Sequence, residues 1–130
     1  MSDNIEQLQL KSQQFNEALV RMMVLFYQID GKITLTEQDY FEKVTDSLDW
    51  RSGVVLPAFI NQAIHDAREA ISSGQAREFL RKLGNDLNID AAKSFEVAMD
   101  ITAADGKRSD EELELLSLLS NRVLAKGLVA

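Results

Sequence analysis

Residues 30–37 read Asp30-Gly31-Lys32-Ile33-Thr34-Leu35-Thr36-Glu37, and residues 105–112 read Asp105-Gly106-Lys107-Arg108-Ser109-Asp110-Glu111-Glu112. The two stretches lie 75 positions apart (105 − 30 and 112 − 37), so Asp, Gly, Lys, a hydroxyl residue and Glu recur in one register. Working outward, Phe41, Val44 and Leu48 after the first stretch correspond to Leu116, Leu119 and Val123 after the second. Steps of three and four are the spacing of one helix face. Glu37 and Glu112 fall one turn before the first of these apolar positions, on the inward stripe. A carboxylate placed there needs a partner, because burying it alone is costly.

The remaining punctuation is helical. Asp3 and Glu6 have the spacing of a capping box, and a long helix is expected from there to about Ile29, with Leu19, Met22, Met23 and Phe26 as its buried stripe. Its first turns, through Gln14, are mostly polar and are expected to project, residues 1–10 above all. Gly31 ends it, in the place where glycine takes the left-handed conformation cheaply. A second helix is expected from Thr34 to about Asp49 or Trp50. Val54-Val55-Leu56 is strand-like but has no segment to pair with. Pro57 then opens a third helix on Ile60, Ala63, Ile64, Ala67 and Ile71. A fourth is expected over residues 75–87, with Gly84 as a close-packing point or an early stop. A fifth is capped by Asp90, with Ala91, Phe95, Ala98, Met99 and Thr102 inward. The sixth runs from Ser109 to about Ala125 and ends through Arg122, Lys126 and Gly127. The fold class is all-α: a single domain over residues 1–130, a compact bundle of about six or seven helices with a pseudo-twofold repeat of helix–DGK loop–helix. The repeat weakens in the helices before the loops, where Met22 matches Val97 and Phe26 matches Ile101 but Leu25 matches Asp100.

Composition narrows the functional classes. A net charge of −7 and a pI of about 4.7 argue against nucleic acid as a partner and for cations or cationic proteins. The absence of cysteine removes zinc–thiolate sites and thiol nucleophiles, and a single histidine leaves little for a catalytic triad. The N-terminal residues lack the basic and apolar regions of a signal peptide, and no stretch approaches the roughly twenty apolar residues that span a bilayer. A soluble cytoplasmic protein is expected.

A helix ending in Asp-Gly-Lys, then a hydroxyl residue and a Glu seven positions after the Asp, all repeated near the C-terminus, resembles the TerB-like domain of tellurite-resistance proteins over roughly residues 10–126. The resemblance implies an all-helical bundle with an acidic site at Asp30, Glu37, Asp105 and Glu112. It also implies a non-enzymatic part in tellurite, phage or stress resistance, alongside membrane-associated or other Ter proteins. Related domains occur in membrane-anchored DnaJ-like co-chaperones. Protein partners are therefore expected, with the chain peripheral to the inner membrane through them; a homo-oligomer is left open.

Two readings of the carboxylates compete. Thr34-x-x-Glu37 and Ser109-x-x-Glu112 both spell capping boxes, in which each Glu returns to its N-cap amide. If the pseudo-twofold brings the loops together, Asp30, Glu37, Asp105 and Glu112 instead form an oxygen-only set suited to Ca²⁺ or Mg²⁺. The loops are not EF-hands, since the glycine follows the first Asp directly. Asp46-Ser47-Leu48 matches the tripeptide of an acyl carrier, but Ser47 falls late in a helix, where a carrier's serine would begin one. His65-Asp66 lacks the proline of a J-domain motif, and Met22, Met23 and Met99 read as packing. The acidic run Asp105, Asp110, Glu111, Glu112 and Glu114 is a solvated helix start or a docking surface for a basic partner. The leucines that follow it cover more than one face.

Overall fold

From Ala18 to Phe26 the chain carries one polar side chain, Arg21, and a helix apolar on all sides must be covered on all sides. The computed structural model, which describes residues 2–29, 31, 34–104 and 106–124 and only the backbone of residues 2–4, meets that requirement. Helix α1 (Ser2–Gln28) is followed by α2 (Leu35–Ser47), α3 (Leu56–Ser72), α4 (Ala76–Lys82), α5 (Gly84–Leu87), α6 (Ala91–Ala103) and α7 (Asp110–Leu118). Helices α2 to α6 all contact α1. Ala18, Leu19, Val20, Met22, Met23, Val24, Leu25 and Phe26 are buried, so the expected stripe is only part of an all-round core. No strand occurs among the described residues, and Val54 and Val55 are exposed.

The first turns of α1 divide in a way that their polarity conceals. Ile5, Leu8 and Leu10 are exposed, but Gln13 and Asn16 are buried and hold the connector between α2 and α3. Gln13 Oε1 accepts from the Arg51 amide at 2.7 Å, and Asn16 Nδ2 donates to the Asp49 carbonyl at 3.0 Å. Trp50 adds an edge contact to Phe59, ring centres 4.9 Å apart, and the Arg21 guanidinium lies 4.8 Å from the centre of the Phe59 ring. Projection thus ends before Gln13. The side chain of Asp3 lies outside the described residues.

Three further expectations shift. The fourth helix is broken at Leu83: α4 ends, α5 makes one turn, and a 3₁₀ turn (Asn88–Asp90) leads to α6. Gly84 is buried, and a Cβ there would meet Val123 at 3.4 Å. Asn88 Nδ2 donates to the Gly84 and Val123 carbonyls, both at 2.8 Å. Glycine thus marks both a close approach and a break. On α6 the inner face is rotated toward Ser94, Val97 and Ile101, with Phe95 and Met99 half-buried; Ala91, Ala98 and Thr102 are buried as expected. Asp90 caps α6 by accepting from the Lys93 amide at 3.1 Å. After α7 the chain widens into a π-helical turn (Leu119–Val123), closed by the Leu124 amide on the Leu119 carbonyl at 2.8 Å. Leu115, Leu116 and Leu119 face inward and Leu113 is half exposed, which assigns that helix one buried face. Lys126 and Gly127 lie outside the described residues.

Candidate functional site

The two DGK stretches match at their described positions. Gly31 and Gly106 have φ of +71° and +83°, where an L side chain is strained. Each donates its amide to the carbonyl three residues back, Gln28 at 3.1 Å and Ala103 at 2.9 Å. Thr34 and Ser109 are then extended and serve as N-caps of α2 and α7. A one-turn offset from the cap puts Glu37 and Glu112 inward, and each is only 2% exposed.

Their contacts differ. At Ser109 the capping box is complete: the hydroxyl accepts from the Glu112 amide at 3.1 Å, and Glu112 Oε1 accepts from the Ser109 amide at 2.9 Å. At Thr34 one hydroxyl serves twice, accepting from the Glu37 amide and donating to Glu37 Oε1, both at 3.1 Å. The other two expected ligands, Asp30 and Asp105, lie outside the described residues. Among the described residues no group of three or more His, Asp or Glu is placed to hold a metal ion.

Sequence reasoning missed what Arg108 does. Its Nε donates to the Thr102 hydroxyl and its Nη2 to the Met99 carbonyl, both at 2.9 Å. A guanidinium there satisfies the end of α6 and suits its negative pole. The available signal was an arginine two residues past the terminating glycine; the matching position of the first repeat is Ile33. A second missed contact is the bond from the Tyr40 hydroxyl to Asp100 Oδ2, at 3.2 Å, which ties α2 to α6. Burial first, then the charge and hydrogen bond of Asp100, hold the Tyr40 phenol above its ordinary range. Tyr40 lies five residues into α2 and Asp100 three before the end of α6, so the start of α2 and the end of α6 each lie within about 8 Å of helix from that bond.

The acidic run is largely wet. Asp110, Glu111 and Glu114 are exposed, and Glu114 pairs with Arg77, joining α7 to α4. On another side, α1, α2 and α3 enclose a groove of about 490 Å³. Val24, Tyr27, Phe41, Ile60 and Ile64 make its apolar surface, and Glu42 and Asp46 stand at its edge. No helix among the described residues is long and apolar enough to cross a membrane. No family model, no curated protein and no solved structure matches this chain.

Proposed function

We propose that the chain is a non-enzymatic, TerB-like interaction module of a stress- or tellurite-resistance complex, acting in the cytoplasm and reaching the membrane through its partners. The two DGK loops and the acidic start of α7 form its recognition surface. One observation carries this reading: the Tyr40–Asp100 bond joins the helix leaving the first loop to the helix entering the second. The described residues Thr34, at the start of α2, and Gly106, after the end of α6, lie at the near ends of those two helices. Exposed Asp110 and Glu111 supply negative charge for a basic partner. The test is cross-linking and co-purification from cells expressing the protein or its Asp110→Lys, Glu111→Lys variant, with growth under tellurite in parallel. Partners retained unchanged by the variant would remove the acidic surface from the proposal.

Burial of both Glu37 and Glu112 to 2% exposure favours a second reading, a divalent-cation-binding regulator using these carboxylates with Asp30 and Asp105. Calorimetric and thermal titration of chelator-treated protein with Ca²⁺, Mg²⁺, Mn²⁺ and Zn²⁺ separates the two. Saturable heat lost on Asp30→Asn with Asp105→Asn would establish it. Absence of heat with every ion would leave the two glutamates as helix-start residues.

A further inference from the structure

We propose that the groove between α2 and α3 is a docking site for an amphipathic helix of a partner protein, apolar on one face and flanked by lysine or arginine. None of the described DGK-loop residues lines this groove, and the proposal does not depend on the reading given them above. The groove is a product of how the connector is anchored. Gln13 and Asn16 fasten residues 49–51 to α1, and Trp50 packs on Phe59. Both helices therefore rest on α1 while standing apart, with Val24 and Tyr27 between them. Ile60 and Ile64 remain half-buried along the opening.

The shape and charge of the opening select the occupant. Its walls run from Gln38 to Asp46 on α2 and from Leu56 to Ile64 on α3, about 12 Å or two helical turns on each side. Two flanking helices over a third offer the seat of a fourth, read as anchors spaced i, i+3 or i+4, i+7. Glu42 and Asp46 are exposed at the edge, and neither has an ion-pair partner among the described residues. Among the described residues no lysine or arginine lines the groove. An apolar small molecule would leave those carboxylates unused. A second copy brings a chain of net charge −7 against them. A basic-flanked helix satisfies both the apolar wall and the acidic edge.

The test uses the full chain and two labelled synthetic helices of about fourteen residues, about 21 Å long, which overhang the two-turn groove by nearly one turn at each end. One carries leucines at helical spacing with lysines beside them, and its twin has glutamate at every lysine. Fluorescence anisotropy is expected to show saturable binding of the lysine peptide in the micromolar range typical of small interfaces. The glutamate twin should bind about tenfold more weakly or worse. Glu42→Lys with Asp46→Lys, both exposed and checked for unchanged circular dichroism, should invert that preference. Ile60→Ser should weaken whichever peptide binds. Failure of the lysine peptide to bind overturns the proposal, as does binding that ignores the charge reversal. A dimer seen in sedimentation and dissolved by Ile60→Ser assigns the groove to a second copy. Displacement of the peptide by a neutral apolar dye, with affinity indifferent to Glu42 and Asp46, assigns it to a small ligand.

Discussion

In the second DGK repeat, Ser109 and Glu112 exchange two bonds, backbone to side chain in both directions, and Arg108 reaches back to the helix before the loop. In the first, a single hydroxyl on Thr34 carries both described bonds to Glu37, and the position matching Arg108 is Ile33. The glycine conformations, the N-cap angles and the burial of the glutamates are shared. A register repeated in sequence thus reproduces the glycine conformation, the N-cap and the inward carboxylate, while the described bonds around them follow from individual side chains. Thr34 concentrates in one atom what Ser109 divides between two groups. Among the described residues, Arg108 adds a tether across the base of the second loop.

Removing that tether is expected to have the largest effect. Arg108→Ala should cost about 2 kcal/mol in urea unfolding, since two hydrogen bonds from a charged, half-buried donor are lost. A cost below about 0.5 kcal/mol would mean that the tether adds nothing and the two loops are equivalent in energy. Next come the caps. Thr34→Ala should cost about 1.5 kcal/mol and Ser109→Ala about 1 kcal/mol, because the first removes two bonds and the second removes one. Thr34→Ser should recover most of the loss. The reverse order, read from chemical denaturation midpoints, would break the comparison as drawn.

The smallest effect is expected at the bridge between the repeats. Tyr40→Phe should cost about 0.5 kcal/mol near neutral pH, the worth of one hydrogen bond at the surface. Its sharper signature lies in alkali. The folded state raises the phenol's pKa above its unfolded value, so the stability it lends is whole below the unfolded pKa and is lost as pH rises through the folded one. The wild type should therefore lose stability over that alkaline window, and Tyr40→Phe should lose less. Identical alkaline slopes in the two proteins would remove the bridge from the account.

How far the sequence reaches can be judged residue by residue. Local signals carried the helices, the left-handed Gly31, the Asp90 cap and the inward setting of Glu37 and Glu112, because each depends on spacing or on backbone sterics within a few residues. What escaped depends on distant neighbours. Gln13 and Asn16 look like a wet helix surface until the connector is folded onto them. The break at Leu83 needs Val123 to be seen beside Gly84, and Asn88 to reach its carbonyl. The rotated face of α6 follows from which side α1 occupies, and Ser94 is buried there because it donates to the Leu87 and Asp90 carbonyls. Arg108 was legible as a charge but not as a clasp. Of the expected four-carboxylate site, only Glu37 and Glu112 fall among the described residues, and the groove left no periodic mark because three separate helices contribute to it.

One consequence of α1 concerns time rather than energy alone. A continuous helix runs from wet turns at Ile5–Ser12 to a segment, Ala18–Phe26, enclosed by its neighbours. Amide protons in the first part can exchange with solvent by fraying of a helix end. Those in the second have no local opening that spares the surrounding helices, so they exchange only when the whole bundle comes apart. A single helix should therefore hold both the fastest and the slowest protons of the molecule. The boundary should fall near Gln13 and Asn16, where the connector is fastened.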